Sequence, residues 1–336
     1  MRYILSVCFV LLAALAPAQQ KSLRLLYDSI PSNIRALSVV SDQVLWMAGS
    51  KGYVARSVNG GRSFTQLPVP GGDSSDFRTL YAFDDKRAVL ANTSSPARIY
   101  HTSDGVTWNL VYENAEPAAF IDGVSFWNEK EGMLYGDPID NKLLLLRTVD
   151  GGETWESLPD EVRPATIDGE ASFAASGTGI RCYGTSHVMI STGGKVSRIL
   201  LSDDKGDTWE SMVTPMMQGT ESSGIFSFDL SGAEHWVIAG GDYTRDTLAV
   251  DHVFFTTDAG NSWQTPVNPT LGYRECVTFV DKYTVFAAGP SGIDVSTSGG
   301  RNWEAFSSVK GVHTLQKARN GARIFFAGKG IFGVID

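Results

Sequence analysis

Short apolar runs separated by polar, glycine-rich turns extend along the chain from residue 22 to its end. Within these runs, apolar and polar positions alternate or the run is wholly apolar, and both patterns are typical of β-strands. The first stretch predicts four consecutive strands, at residues 34–40 (IRALSVV), 44–50 (VLWMAGS), 53–58 (YVARSV) and 64–69 (FTQLPV).

The same order of four strands recurs along the chain, so that each unit begins with a strand like residues 34–40. In the fourth unit two apolar runs compete for this first position, and residues 169–176 (GEASFAAS) are assigned to it. The first strands of the other units are predicted at 77–83, 121–127, 225–230, 274–280 and, in the tail, from residue 312.

One motif closes the third strand of six units and recurs at intervals of 40 to 54 residues. A Ser or Thr, then an Asp or Asn, then Gly and an aromatic residue form it, as in residues 148–155 (TVDGGETW). The hydroxyl and carboxylate can bond backbone groups of a tight turn, and Gly permits a positive φ. We interpret these residues as structural: Asn59, Asp104, Asp150, Asp204, Asp258, Trp108, Trp155, Trp209, Trp263 and Trp303.

Units of this length with four strands each predict an all-β propeller with one blade per unit. The tail from residue 312 supplies three strands of a seventh unit and lacks the aromatic corner. Residues 22–27 have the pattern of an outer strand, so we expect them to complete the seventh blade. The prediction is therefore a closed seven-bladed propeller over residues 19–336, and closure would remove two open sheet edges.

Residues 1–18 have the pattern of a secretory signal. Arg2 supplies a positive charge, an apolar run follows from Tyr3 to Leu15, and Ala16-Pro17-Ala18 provides a small-residue cleavage site. The run is too short to span a bilayer, which needs about 20 apolar residues. We expect an exported, monomeric protein without a membrane span, in the periplasm or outside the cell.

The formal net charge of -9 argues against sequence-independent nucleic-acid binding, which depends on Lys and Arg at phosphates. Cys182 and Cys276 fall two blades apart, so they are expected to be free thiols rather than a disulfide. The sequence shows no metal-ligand spacing, phosphate loop or nucleophile elbow, and hence predicts no metal and no cofactor. Two long polar links, 136–140 (GDPID) and 240–246 (GGDYTRD), lack a calcium-loop signature.

The six corners, the seven units and the N-terminal signal resemble the photosystem II assembly factor family of seven-bladed Asp-box propellers and its bacterial relatives. Residues 48–64 (AGSKGYVARSVNGGRSF) and 287–303 (AAGPSGIDVSTSGGRNW) carry this likeness most clearly. The resemblance implies a non-enzymatic binder that helps another protein to mature. It also implies a basic patch that meets the protein client.

Ligands of propellers usually meet the mouth of the central channel, where the inner strands begin. Aligned inner strands place Arg35, Arg78 and Arg274 there, with Asp242 and His313 nearby. Three guanidinium groups converging on one point could hold a client protein or another carboxylate-bearing ligand. Alternatively, each Arg pairs with a neighbouring acid at the rim.

Asp boxes also occur in sialidases, so a glycoside hydrolase is the alternative function. In that case Tyr243, activated by Glu170 or Glu275, would be the nucleophile, and Asp137 or Asp242 would be the acid/base. Two rim carboxylates alone could also perform hydrolysis at a suitable separation. The Arg-Ile-Pro signature of sialidases is missing, and those enzymes have six blades. The sequence therefore favours the binding scaffold.

Overall fold

The computed structural model describes residues 21–336. Seven antiparallel sheets surround a central channel, and the blades are joined in chain order, which confirms the predicted seven-bladed propeller. The predicted signal at 1–18 lies outside the described residues. Among residues 21–336 there is no helix of the length and hydrophobicity needed to cross a membrane.

The first three blades each contain four strands, numbered from the channel outwards. Blade 1 consists of β2 (Ile34–Val39), β3 (Leu45–Gly49), β4 (Val54–Ser57) and β5 (Thr65–Gln66). Blade 2 consists of β6 (Phe77–Ala82), β7 (Ala88–Asn92), β8 (Ala97–Thr102) and β9 (Asn109–Asn114). Blade 3 consists of β10 (Ile121–Phe126), β11 (Gly132–Ile139), β12 (Lys142–Thr148) and β13 (Glu156–Ser157).

The fourth and fifth blades are less regular. Blade 4 consists of β15 (Ile180–Tyr183), β16 (His187–Ser191), β18 (Arg198–Ser202) and β19 (Glu210–Val213). Blade 5 consists of β20 (Ser223–Leu230), β21 (Trp236–Asp242) and β22 (Val253–Thr256), and a single bridge between Phe255 and Gln264 marks its outer edge. Two short strands, β14 (Glu170–Ala171) and β17 (Gly193–Gly194), extend the inner edge of blade 5.

The last two blades again have four strands each. Blade 6 consists of β23 (Cys276–Phe279), β24 (Val285–Gly289), β25 (Gly292–Ser296) and β26 (Glu304–Ser307). Blade 7 consists of β27 (Val312–Lys317), β28 (Ile324–Gly328), β29 (Phe332–Ile335) and, as its outer strand, β1 (Leu23–Tyr27).

The predicted closing strand is confirmed. β1 pairs antiparallel with β29, from Leu23 opposite Ile335 to Tyr27 opposite Phe332. Arg24 adds an exposed ion pair of 2.7 Å with Asp336. The two ends of the described chain are therefore joined within one sheet, and the outer edge of β29 is covered.

The corners between the third and fourth strands make the hydrogen bonds that the sequence predicts. At the third corner, Thr148 Oγ1 donates to Asp150 Oδ1 at 2.8 Å, and the amide of Gly152 donates to Thr148 Oγ1 at 2.9 Å. Asp150 Oδ1 also accepts the amide of Thr154 at 3.0 Å. Equivalent bonds form at Asn59, Asp104, Asp204 and Asp258.

The aromatic residue of each corner packs between neighbouring blades. Trp108 contacts Trp46 of blade 1 edge to face, with ring centroids 6.1 Å apart, and Trp155 contacts Phe126 in the same manner. Trp108, Trp155 and Trp303 are buried, whereas Trp209 and Trp263 are partly buried. Burial of large aromatic surfaces stabilises the blade interfaces.

The fourth unit differs from the sequence assignment. Its inner strand is β15, the second of the two apolar runs, and residues 169–176 do not occupy that position. Residues 171–178 instead enter the central channel and block it part-way along its length. We call this segment the plug. Cys182 on β15 and Cys276 on β23 lie in blades 4 and 6, and both are free.

The plug is fastened to several blades by hydrogen bonds. Ser176 Oγ donates to the carbonyl of Glu275 at 2.8 Å, and Thr178 Oγ1 donates to Ser227 Oγ at 2.7 Å. Thr314 Oγ1 donates to the carbonyl of Ser176 at 3.4 Å. Ser176 and Thr178 are buried at this crossing point, where small side chains allow the segment to approach the inner strands closely. The plug divides the channel into two separate cavities.

Candidate functional site

A ring of side chains at the channel mouth is produced by β-bulges. In five blades the pairing register of the inner strand shifts near its start and leaves one residue without a partner on the second strand. These unpaired residues are Arg35, Arg78, Asp122, Phe226 and His313. Bulges re-aim side chains and are frequent at functional sites. In blade 6 the corresponding residue is Glu275, which precedes Cys276 as Arg35 precedes Ala36. We call these six residues the mouth ring.

A cavity of about 630 Å³ opens at the mouth ring, and the plug closes it from below. One wall is aromatic. Phe173 of the plug stacks on Phe226 with ring centroids 3.9 Å apart, and Tyr273 contacts Phe226 edge to face at 4.8 Å. Tyr243 continues this wall, and its side chain is 54% exposed. Sequence reasoning missed the aromatic wall, because Phe173 was assigned to a strand.

Three ring residues from different blades form one charged group on the cavity wall. Glu275 Oε2 accepts a hydrogen bond from Arg35 Nη1 at 2.9 Å and lies 2.6 Å from His313 Nδ1. Arg35 Nη1 also donates to the carbonyl of Ala175 in the plug at 3.1 Å. Arg35 Nε has no partner among the described residues. The group therefore fixes Arg35 in place while leaving its Nε donor unused.

Arg78 lies on the same cavity wall and pairs with Asp76 at 2.7 Å. Both side chains of this pair are 30% exposed. Exposed pairs contribute only about 0–1 kcal/mol, because water screens them. Arg78 can therefore exchange Asp76 for the carboxylate of a ligand at little cost.

Arg274 does not belong to the mouth ring, contrary to the expected convergence of three arginines. It lies one residue before the ring position that Glu275 occupies, and a shift of one residue turns a side chain to the opposite side of a strand. Arg274 is buried and pairs with Asp294 at 2.5 Å. Its Nη1 donates to the carbonyl of Tyr273 and to Ser291 Oγ, both at 2.8 Å. Its guanidinium group is consequently occupied by the protein itself.

Glu170 does not line the mouth cavity, and its carboxylate is fully engaged. Arg198 binds it with two hydrogen bonds, of 2.9 Å to Oε1 and 2.7 Å to Oε2. Thr192 Oγ1 and the amide of Ile167 also donate to it. Glu170 thus fastens the segment before the plug, and its position gives it no contact with a ligand at the mouth.

Asp242 also serves a turn rather than the cavity. It accepts hydrogen bonds from the amide and hydroxyl of Thr244, at 2.9 and 2.7 Å, and pairs with Arg245 at 2.8 Å. Burial raises the pKa of Asp242, but these hydrogen bonds together outweigh burial and lower the pKa to about 2. A carboxylate with so low a pKa is a poor proton donor at neutral pH.

Tyr243 and Asp137 both line the cavity. Tyr243 makes no hydrogen bond to Glu170 or Glu275 in residues 21–336, so the activated tyrosine of the hydrolase interpretation is not assembled. Asp137 accepts the amide of Ser172 at 2.8 Å. Burial raises the pKa of Asp137 from its usual 3.8 to about 6, and the Ser172 bond offsets part of this rise.

Asp122 is one of two buried acids in the mouth ring and, unlike Glu275, has no basic partner there. Its side chain is 0% exposed, and neither carboxylate oxygen has a hydrogen-bond partner among the described residues. Burial, and then the nearby charge of Asp137, raise the pKa of Asp122 well above its usual value, although Arg78 opposes them. The surroundings of Asp122 therefore favour its neutral form over its charged form.

The raised pKa of Asp137 makes the stability of the protein depend on pH. A carboxyl with a raised pKa binds its proton more tightly in the folded state than in the unfolded state. Its contribution to the free energy of unfolding is therefore full below about pH 4 and is lost as pH rises through about 6. We expect the wild-type protein to lose about 2 kcal/mol relative to Asp137→Asn over this interval, allowing for partial exposure. Urea unfolding of both proteins at pH 4, 5, 6 and 7 measures the difference.

The control for this prediction is Asp140→Asn, because Asp140 is exposed at the end of the same link. This variant should follow the wild-type pH dependence. If the free energies of unfolding of Asp137→Asn and the wild type stay parallel from pH 4 to pH 7, Asp137 is not a source of pH dependence.

The first acid of each long polar link is held by groups of the protein itself. Residues 21–336 contain no group of three His, Cys, Asp or Glu side chains placed to hold a metal ion. Asp137 and Asp242, at the two long links, are engaged by Ser172 and by Thr244 and Arg245 respectively.

Known structures with this arrangement of blades include YCF48. YCF48 bound to a D1 peptide superposes with a TM-score of 0.66 at 14% identity, covering 95% of this chain and 97% of that one. YCF48 from Cyanidioschyzon merolae gives 0.65 at 16% identity, covering 93% and 98%. The chain shares the fold of YCF48. The resemblance to the photosystem II assembly factor family is thereby confirmed for the fold.

A glycoside hydrolase structure is also similar. The GH74 enzyme of Niastella koreensis superposes with a TM-score of 0.60 at 13% identity, covering 90% of this chain but only 51% of that one. This chain thus spans about half the length of the enzyme. No protein-family model matches the sequence, and no curated protein matches it. At these identities the likeness establishes the fold alone, and function must be argued from the site.

Proposed function

We propose that this protein is an exported, non-catalytic scaffold that captures an extended segment of a client protein at the channel mouth. The mouth cavity carries the proposal, since it combines an aromatic wall with the guanidinium groups of Arg35 and Arg78. Aromatic side chains beside arginine are typical of the residues that dominate protein interfaces. The apolar run before Ala16-Pro17-Ala18 supports export.

The shape of the cavity favours a peptide over a folded surface. The plug makes it a blind pocket of about 630 Å³, which fits a few side chains or a chain terminus rather than a flat interface. Phe173 and Phe226 offer a surface for an apolar side chain, and Arg78 offers donors to a carboxylate. YCF48 has been solved with a peptide bound, which agrees with peptide capture by this fold.

The hydrolase alternative rests on one observation, the pKa of about 6 for Asp137 in the mouth cavity. A general acid is most effective with a pKa near the working pH. A glycosidase needs a second free carboxylate, however. Glu275 is bound by Arg35 and His313, and Glu170 and Asp242 are occupied elsewhere. Asp122 is buried outside the cavity lining, and Glu221 lines the cavity but is exposed, with no hydrogen bond among the described residues to position its carboxylate. The residues at the mouth therefore fit binding better than hydrolysis.

We expect the variant Arg78→Gln with Tyr243→Ala to reduce client binding at least tenfold without changing the melting temperature appreciably. Arg78 forms only an exposed ion pair and Tyr243 is 54% exposed, so neither change removes core packing. The measurement is the retention of partner proteins on immobilised protein from an extract of the native host.

The matched control is Arg147→Gln with Tyr283→Ala. Arg147 forms a comparable exposed ion pair with Asp207 at 2.9 Å, and Tyr283 is also 54% exposed. Neither residue lines the mouth cavity. The control should retain the same partners as the wild type. Equal retention by the mouth variant would place client binding elsewhere.

A further inference from the structure

A second cavity lies at the far end of the channel, below the plug. Its volume is about 380 Å³. All seven inner strands contribute to its wall, through residues three positions after those of the mouth ring in most blades. Those residues are Ser38, Tyr81, Ser125, Arg181, Asp229, Thr278 and Gln316. We call this space the distal pocket.

The plug separates the distal pocket from the client site proposed above. Ala175 lines the mouth cavity, whereas Gly177 lines the distal pocket. Between them, Ser176 and Thr178 are buried and bonded to inner strands. A ligand in one cavity therefore does not reach the other, and the distal pocket can be tested independently.

The distal pocket has an excess of positive charge. Arg181, Lys317 and Arg319 line it, and Asp229 is its one acidic residue. Arg181 lies 3.4 Å from Asp229, so that pair is a loose one. Neither Lys317 nor Arg319 has a carboxylate within 4.0 Å in the part of the chain that is described. This arrangement contrasts with the mouth, where Arg35 and Arg78 each have an acidic partner.

Arg319 is held in place by neutral groups. Its Nη1 donates to Ser38 Oγ at 3.3 Å, its Nη2 donates to the carbonyl of Ala82, and its guanidinium carbon lies 4.6 Å from the ring centroid of Tyr81. None of these partners neutralises its charge. Since a guanidinium has five N–H donors, several remain for a ligand.

Lys317 is oriented in a similar way. Its Nζ donates to the carbonyl of Val280 at 2.8 Å, which leaves two of the three ammonium donors of lysine. Arg319 is exposed and Lys317 is half-buried, so water solvates both cations until a ligand replaces it. Two cations that neutral groups hold in place and that lack carboxylate partners are thus a suitable site for an anion.

The remaining wall is apolar and aromatic. Leu80, Val124, Phe126 and Phe279 line the pocket beside the cations. A volume of about 380 Å³ falls in the range of small-molecule sites. The combination suits an oxyanion attached to a compact, partly apolar body, and its size excludes a folded partner.

We propose that the distal pocket binds a small organic oxyanion, a carboxylate or a phosphate ester, through Arg319 and Lys317. Planar guanidinium groups match both kinds of oxyanion with paired hydrogen bonds. The ligand's apolar body lies against Phe126 and Phe279.

The first test uses 4-fluorobenzoate and its neutral counterpart 4-fluorobenzamide, observed by ¹⁹F NMR with the full mature protein at constant ionic strength. We expect 4-fluorobenzoate to bind with a Kd in the millimolar range or tighter and 4-fluorobenzamide to bind at least tenfold more weakly. The absence of binding, or equal binding of the two probes, would overturn the proposal.

The second test changes the cations singly. Arg319→Gln and Lys317→Gln should each weaken 4-fluorobenzoate binding about tenfold or more. The matched control is Arg301→Gln, because Arg301 is also exposed and lies over an aromatic ring, that of Phe255, at 5.2 Å. Undiminished binding by both pocket variants refutes the site. Thermal melting of each variant verifies the fold, and Lys317→Gln keeps the test decisive if Arg319→Gln melts early.

Competition with inorganic phosphate distinguishes the two kinds of oxyanion. Displacement of 4-fluorobenzoate by equimolar phosphate assigns the pocket to phosphate esters. Displacement only at large excess assigns it to carboxylates. If chloride at the same concentration as phosphate displaces 4-fluorobenzoate equally well, the displacement is caused by general screening of charges, and that result would contradict a specific site.

Discussion

A chain that begins at residue 28 will melt about 10 °C or more below one that begins at residue 21. Removing β1 eliminates the backbone hydrogen bonds along the outer edge of β29. It also exposes Phe332, which Leu26 and Tyr27 cover. Partial burial of three apolar side chains contributes on the order of 4 kcal/mol, and each kcal/mol shifts the melting temperature of a large domain by about 2–4 °C. Thermal unfolding followed by circular dichroism measures the difference.

Two point variants separate packing from the loss of backbone bonds. Leu26→Ala should lower the melting temperature, because Leu26 packs against the core, whereas Leu25→Ala should have little effect because Leu25 is 43% exposed. A truncated chain that melts with the longer one would contradict closure of the ring by β1.

Arg274→Ala will destabilise the protein by about 3–5 kcal/mol, the usual effect of leaving one member of a buried ion pair without its partner. The side chains of Arg274 and Asp294 are 1% and 2% exposed, so Asp294 would remain charged in a dry environment or would have to take up a proton. Urea unfolding at pH 7 measures the loss.

The control for this prediction is Arg78→Ala, which removes an exposed pair and should cost about 0–1 kcal/mol. Replacing both buried partners, as Arg274→Met with Asp294→Leu, should recover most of the stability, because no uncompensated charge remains. A loss below 1 kcal/mol for Arg274→Ala would show that this pair is not dry.

The architecture could be predicted from the sequence because local signals repeat. Five of the six corners combine a hydroxyl, a carboxylate or amide, and Gly within a few residues, and Ser298 replaces the acid in the sixth. The hydrogen bonds at Asp150, for example, need no distant partner. The spacing of the corners then gives the number of blades. The closing strand could be predicted because the seventh unit has only three strands and residues 22–27 have the pattern of an outer strand.

The mouth residues could be predicted only in part, because their placement depends on register. Arg35 and Arg78 precede the small residues Ala36 and Thr79, which pair with residues of the second strand of their blades. The same rule selects Glu275 before Cys276, and it would have excluded Arg274. A bulge reverses the side on which a residue lies, and alternation alone does not reveal bulges.

The plug could not be predicted from the sequence, because its contacts are with residues far away along the chain. Residues 171–176 (ASFAAS) combine small residues with Phe173, as an inner strand can, and the partners of Ser176 and Thr178 lie on blades 5, 6 and 7. One signal was present in residues 178–183 (TGIRCY), where the small residue Gly179 follows Thr178 as Ala36 follows Arg35 in blade 1. That pattern identifies β15 and leaves residues 171–178 for the channel.

Site-specific photo-crosslinking tests most directly whether the channel mouth captures the client. A photoreactive phenylalanine analogue is placed at Tyr243 or at Tyr283, which are equally exposed but of which only Tyr243 lines the mouth cavity. In the native host, Tyr243 should give a discrete adduct that disappears when Arg78→Gln is added, and Tyr283 should give none. An adduct at Tyr283 alone, or one at Tyr243 that survives Arg78→Gln undiminished, would contradict capture at the mouth.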